Sequence, residues 1–391
     1  MAVFRIALLS DIHAGSKEGA QATGDVKLYT DGDHVSAYEH PLYALHELIK
    51  VESLKVDAVV CPGDMTNRAE KQALNFIWRE LNDLKNKFSA HTLVATVGNH
   101  DVDSRNHSED GFPREHLMRL VPPFPSIDPA LSNHYWAHGY YITEVDSVRF
   151  LVVNSCWLHE ARDELARGVV TSYTLDKLKV ELSAQSSAIA NVAVMHHHPH
   201  AHSELGLGFD DVIRNGQILL QTLEDSGSWL VVHGHKHHPK IELAQGQYQS
   251  PVVLACGSFS GRLEGANASV SRNYFHIVEI DLSNSTMRGR VISWAWMQGT
   301  GWKRYSDANS RFPSEFGFGR QQPVNQIATD IQNALGTLSF MNWRDLTNKI
   351  VEINFLMPKE LRHLIKVLEE NHGITVLYDT LGLPYQIGTG I

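Results

Sequence analysis

Val3-Phe4-Arg5-Ile6-Ala7-Leu8-Leu9-Ser10-Asp11-Ile12-His13 opens the chain with an apolar run that stops abruptly on a serine, an aspartate and a histidine. A run of this length and composition reads as a buried strand whose C-terminal end hands polar side chains to one edge of a sheet. The pattern recurs four times. Asp57 to Cys61 runs into Pro62-Gly63-Asp64, and Thr92 to Val97 into Gly98-Asn99-His100-Asp101. Val192 to Met195 runs into His196-His197-His198-Pro199, and Trp229 to Val232 into His233-Gly234-His235-Lys236-His237. In open α/β sheets ligands bind outside the carboxyl ends of the strands. Five strands that all end in candidate metal ligands predict one shared site.

Working outward, Leu42, Leu45, Leu48 and Ile49 fit one helical face, and Ala73, Phe76, Ile77, Leu81 and Leu84 another. Later β-prone runs, Arg149 to Asn154, Val252 to Cys256, Phe275 to Ile280 and Val291 to Trp296, lack helical patterns between several of them. The expectation is two packed, mixed β-sheets with helices outside. Gly15 to His40 and Val102 to Gly139 read as insertions, the second a loop with some helix around its prolines. Residues 1–301 form the expected main domain and 302–326 a linker or wrapping segment. Residues 327–391 form a small C-terminal α-rich module, with a helix near Leu346, a second from Pro358 to Gly373, and a short strand from Ile374.

With 391 residues, 43% hydrophobic and 20% charged, the chain can bury a sizeable core. The 34 Lys and Arg against 44 Asp and Glu leave a net charge of −10, which does not favour nucleic acid as the main partner. The tail carries no basic patch; its role is left open, with a protein partner through 327–391 as one candidate. Three scattered cysteines exclude a disulfide scaffold and suggest a reducing compartment. With no membrane-length apolar run, the expected setting is cytoplasmic, with no membrane partner. The 23 histidines are the unusual count, five of them between His196 and His202 and four between His233 and His238. Cys61 and Cys256 read as small core residues, and Asn154 and Ser155 as polar turn residues.

Asp11 and His13 are two apart, so on a strict strand both point to one face and can share an ion. Asp64 has two oxygens, enough to bridge two ions, while Asn99 adds an amide oxygen and His196, His235 and His237 add imidazoles. Such mixed donors suit manganese, iron or zinc better than magnesium or calcium. Two divalent ions against two carboxylates and one hydroxide leave a net positive charge that attracts a phosphate ester. Paired ions can clamp an in-line displacement and make hydroxide available near neutral pH. His100, beside Asn99 and not needed as a ligand, is free to assist the leaving alkoxide, and Asp101 is expected to orient it.

The ordered series Asp11-Ile12-His13, Gly63-Asp64, Gly98-Asn99-His100-Asp101, His196 and Gly234-His235-Lys236-His237 resembles the calcineurin-like metallophosphoesterase superfamily over roughly residues 1 to 300. The resemblance implies a four-layer α/β/β/α sandwich with two divalent transition metal ions, manganese or iron before zinc. It implies Asp11, His13, Asp64 and His237 on one ion, and Asp64, Asn99, His196 and His235 on the other. His197 is the fallback for His196. Ser10-Asp11-Ile12-His13-Ala14 and Met65-Thr66-Asn67-Arg68 depart from the protein Ser/Thr phosphatase pattern. Gly63-Asp64-Met65-Thr66 with Gly98-Asn99-His100-Asp101 looks closest to class III cyclic nucleotide phosphodiesterases and glycerophosphodiesterases. The expected activity is hydrolysis of a small phosphodiester by a metal-bridging hydroxide. A nuclease and a partner-regulated scaffold are the alternatives.

Overall fold

Apolar runs with alternating side chains need two faces to bury, and the chain provides both. The computed structural model describes residues 2–18, 27–31, 37–103, 112–159, 167–184, 186–201, 211–246, 249–263, 272–305 and 312–389. β1 (Val3–Leu8) is followed by α1 (Pro41–Glu52), β2 (Ala58–Cys61), α2 (Lys71–Lys87) and β3 (Thr92–Ala95). Next come α3 (Glu115–Met118), α4 (Pro129–His138), β4 (Tyr140–Val145), β5 (Val148–Val153), α5 (Ser172–Leu182) and β6 (Ala190–Val194). α6 (Gly216–Ser226), β7 (Trp229–His233), β8 (Pro239–Leu243) and β9 (Val252–Cys256) precede four strands. These are β10 (Tyr274–Asp281), β11 (Gly289–Met297), β12 (Gly301–Lys303) and β13 (Glu315–Phe318).

One sheet has the order β12-β11-β10-β1-β2-β3, with β13 also pairing β11, and the other the order β4-β5-β6-β7-β9-β8. β1, β2 and β3 run parallel, as do β5, β6, β7 and β9, while β10, β11, β4 and β8 are antiparallel additions. Alternation in the second sheet then sets the layers. Phe150, Val152, Val192, Val194, Leu230, Val232 and Leu254 pack in one core with Phe4, Ile6 and Leu8 of the first sheet. The intervening Leu151, Val153, Ala193, Met195, Val231 and Val253 pack instead against Leu175, Leu178, Leu219 and Leu223 of α5 and α6. Each such side chain contributes about 1.5–3 kcal/mol on burial. On the outside of the first sheet, α2 buries Ala73, Leu74, Ile77, Trp78, Leu81 and Leu84, with Phe76 only half-buried. The architecture is therefore the expected α/β/β/α sandwich.

Half of the first insertion falls outside the described residues, and the second contains α3 and α4. Within 302–326, β13 pairs antiparallel with β11, so part of this stretch continues the first sheet. Beyond it, α7 (Val324–Leu335), β14 (Phe340–Asn342), α8 (Trp343–Lys349), a 3-10 turn (Val351–Phe355), α9 (Pro358–His372), β15 (Ile374–Tyr378) and β16 (Pro384–Thr389) close around a separate core. Its three helices are joined by a small sheet of order β14-β16-β15 that the helical periodicity does not disclose. α9 starts at Pro358, where the Glu360 carboxylate accepts from Met357 N at 2.9 Å, and stops at left-handed Gly373. The module docks through backbone: Gly317 N donates to Leu356 O at 3.0 Å and Arg320 N to Phe355 O at 3.2 Å. Arg288 lies 4.4 Å from the Phe355 ring centroid and 3.6 Å from Glu352. Among the described residues no helix is long and apolar enough to cross a membrane.

Candidate metal centre

The polar residues after β1, β2, β3, β6 and β7 converge at one edge between the sheets, but not by strand geometry. β1 ends at Leu8, and Asp11 (φ 52°) and His13 (φ 49°) sit beyond it on left-handed backbone. The expectation of a shared strand face is thus corrected: two left-handed turns, not the pleat, bring these side chains together. Asp64 (φ 52°), His235 (φ 80°) and His237 (φ 56°) are left-handed too. Such conformations cost about 1–3 kcal/mol each in a non-glycine residue. Cross-links between the loops offset that cost. Asp11 N donates to Gly63 O at 3.1 Å, and His13 N to Asp64 O at 3.0 Å. The carboxylates also accept from backbone, Asp64 Oδ1 from His100 N at 2.7 Å and Asp11 Oδ1 from His235 N at 2.9 Å. Glycine is needed where loops touch: a Cβ on Gly234 would lie 2.1 Å from Asp11 Oδ2, and one on Gly98 2.1 Å from Asp64 N.

Asp64 occupies the middle. Its Oδ2 is 3.5 Å from His13 Nε2 and 3.3 Å from His196 Nε2. On one side, His13 Nε2 and His237 Nε2 face each other at 2.9 Å, with Asp11 Oδ1 3.4 Å from the latter. On the other, Asn99 Oδ1 is 2.9 Å from His196 Nε2 and 3.0 Å from His235 Nδ1. Ligand atoms of Asp11, His13 and His237, and of Asp11, Asp64 and His196, each lie within 4.8 Å of one another. The outer ring nitrogens are held by protein acceptors. His196 Nδ1 donates to Pro62 O at 3.0 Å, and His237 Nδ1 to Arg262 O at 3.1 Å. His235 Nε2 donates to Asp211 Oδ2 at 3.2 Å. Each acceptor takes one N–H, so the opposite nitrogen is the one that turns toward the centre and would serve an ion there. Imidazole, carboxylate and amide donors arranged in this way fit transition metal ions.

Charge in the centre is tightly balanced. Burial would raise the Asp64 pKa, but His196 and His100 hold its carboxyl well below the usual range. Asp11 is likewise held low against burial by its hydrogen bond to His237. Burial would lower His196, yet Asp64 lifts it to about 9. His13 and His235 go the other way, to about 3, through burial and the cationic imidazoles near them. Two buried carboxylates therefore draw positive charge into this spot.

His196, and not its neighbour His197, faces Asp64; the His197 ring turns away to Ser155 Oγ at 2.9 Å. The His100 ring, half-buried, stands edge-on to His13 with centroids 4.7 Å apart. Its Nδ1 meets Asn67 Oδ1 at 3.2 Å, so Asn67 is the residue that orients it. The expected partner Asp101 is engaged elsewhere: its carboxylate accepts from Thr66 N and Gly98 N, both at 2.9 Å. That is a correction with a physical reason, because a buried carboxylate satisfied by two backbone donors holds the loop rather than the ring. Sequence reasoning missed Asn67 and Asp211. Asn67 closely follows the Gly63-Asp64 motif, a proximity that could have flagged it. Asp211 belongs to no motif. It lies between the histidines that follow β6 and the start of α6, and only the fold brings it to His235 and Lys236.

A family model described as calcineurin-like phosphoesterase matches residues 4–239. A second, described as wHTH-Calcineurin_assc, matches residues 316–370, most of the C-terminal module. Among solved structures, the purple acid phosphatase PPD1 from yellow lupin (Lupinus luteus) is similar at 12% identity and a TM-score of 0.48. That match covers 81% of this chain and 53% of the lupin chain, so this chain spans about half the length of that enzyme. Vps29 of Chaetomium thermophilum is similar at 11% identity and a TM-score of 0.30, over 77% of this chain and 94% of its own. No curated protein sequence gives a match.

Proposed function

The chain belongs to the calcineurin-like phosphoesterase family, and from that membership and the centre's geometry we propose a dinuclear metal-dependent hydrolase of a small phosphodiester. In this reading Asp11, His13, Asp64 and His237 hold one ion, and Asp64, Asn99, His196 and His235 the other. The observation that carries it is Asp64 Oδ2, within 3.5 Å of His13 and 3.3 Å of His196, shared by two donor sets. Bound divalent ions supply positive charge for the phosphate and lower the pKa of water toward ~7. The chain's own residues do the rest. Asn67 fixes the His100 ring by accepting from Nδ1, and in its protonated form the ring gives the Nε2 proton to the departing alkoxide. Asp211 orients His235, and the Asp101 carboxylate holds the Gly98 turn that presents Asn99 and His100.

The test uses metal-stripped protein refilled with manganese and assayed on bis-nitrophenyl phosphate, nitrophenyl phosphate and cyclic nucleotides. Diester turnover that vanishes on chelation is expected; monoester turnover alone would sink the diesterase reading. His100→Ala should slow poor leaving groups far more than nitrophenolate, and equal losses would remove His100 as the proton donor.

The match to a winged helix–turn–helix module favours a second reading, a nuclease. Its charge does not help. From Val324 onward the chain has five Lys and Arg against seven Asp and Glu, which supports protein docking over a grip on phosphate backbones. Titration with labelled DNA and RNA at two salt concentrations decides: tight binding with a steep salt slope would revive the nuclease.

A further inference from the structure

Behind the centre, Cys156, His159 and His197 form a second cluster, all three with no exposed surface. Their ligand atoms lie within 4.8 Å of one another, and Cys156 Sγ is 3.9 Å from His197 Nδ1. Cys156 and His159 share a turn closed by His159 N donating to Cys156 O at 3.1 Å. His197 comes from beyond β6. None of the three is a ligand in the proposed dinuclear centre.

The hydrogen bonds leave this cluster incomplete. His159 Nε2 lies 2.9 Å from Arg167 O, which can only accept, so Nε2 carries the proton and Nδ1 keeps its lone pair. That Nδ1 and His197 Nε2 are buried without a hydrogen-bond partner among the described residues. Leaving a buried polar atom unsatisfied costs about 1–3 kcal/mol. A cation that took up such nitrogens would remove the cost, and one thiolate with two imidazoles is a donor set that zinc favours.

We propose that Cys156, His159 and His197 bind a third metal ion, a structural zinc separate from the dinuclear centre. On binding, the Cys156 S–H bond breaks, its proton leaves to solvent and an S–Zn bond forms. Thiolate and ion together leave one positive charge. Ser155 Oγ, 2.9 Å from His197 Nδ1, holds that side of the ring and leaves Nε2 for the ion. The ion ties the turn after β5 to the end of β6, where the His197 ring stands 5.0 Å from that of His196.

The full-length protein is stripped of metal and titrated with cobalt(II), then separately with zinc. All three cysteines are free and buried, and among the described residues only Cys156 joins a candidate ligand group. A near-ultraviolet thiolate-to-cobalt charge-transfer band therefore reports this cluster and is silent on the dinuclear centre. The band should saturate at one ion per chain and be absent in Cys156→Ala, while bound zinc falls by one ion per chain between wild type and variant. Two ions bound to the wild type with no thiolate band would overturn the third site and leave the dinuclear reading standing. A band unchanged in Cys156→Ala would also overturn it. The wild-type spectrum decides even if the variant fails to fold, and a band with no further ions bound would sink the dinuclear reading alone.

Discussion

At the metal centre five of the seven candidate ligands sit on left-handed, non-glycine backbone; in the C-terminal module every left-handed residue among those described is a glycine, Gly336, Gly373 or Gly382. The centre holds its strained turns with hydrogen bonds between loops distant in sequence, such as Asp11 N to Gly63 O. The module needs no such support, because ordinary caps and an apolar core of Ile327, Ile331, Leu346, Leu364 and Leu368 suffice. Strain is placed where side chains must converge, and the rest of the domain offsets it. Regular packing is placed where shape alone is required.

The contrast can be broken most sharply at Asp64. Asp64→Asn removes the carboxylate between both donor sets and should cut diester turnover by at least about 10³-fold with the fold intact. Steady-state kinetics with manganese, beside a circular dichroism melt, would reveal retained turnover if the shared carboxylate were dispensable. The converse change belongs to the module. Leu364→Ala should destabilise it by about 2–5 kcal/mol and leave kcat/KM on a small diester near wild type. Equal loss of turnover would show that the two regions are not energetically separate.

Acid should also separate them. His276 is buried between Ser293 Oγ and Cys256 O, both at 2.8 Å, and burial pushes its pKa down to about 4. The module buries neither of its histidines, His363 and His372. A depressed imidazole means the unfolded chain binds more protons, so His276 contributes fully above pH ~6.5. That contribution, about 3 kcal/mol, is lost as pH falls from ~6.5 toward 4. The catalytic domain should therefore melt earlier relative to the module across this window, and His276→Gln should flatten the trend in calorimetry. Asp211→Asn has the smallest expected effect, a loss of about 10–100-fold in metal affinity or activity through a loosened His235. Metal titration that matches wild type would show that Asp211 does no positioning.

The same contrast marks what could be read from residues alone. Strand-end motifs named Asp11, His13, Asp64, Asn99, His196, His235 and His237, and the structure brings all seven together, because apolar runs that end in polar residues constrain both strand and edge. The module's α9 was legible from Pro358, its apolar face and Gly373. Its three-stranded sheet was not, since β14 has only three residues and no alternation to detect. The choice of Asn67 over Asp101 beside His100 was equally hidden. Sequence neighbours suggest one pairing, and the loop's need for backbone acceptors imposes another.

By itself the sequence determined the order of strands, the residue types at their ends and hence the kind of chemistry, because local pattern encodes burial and ligand character. Tertiary structure alone decided which imidazole nitrogen faces inward, which carboxylate is shared, and that Asp211, Arg262 and Pro62 steer the ligating rings. Those choices depend on hydrogen bonds between segments up to 224 residues apart, and no local pattern carries them.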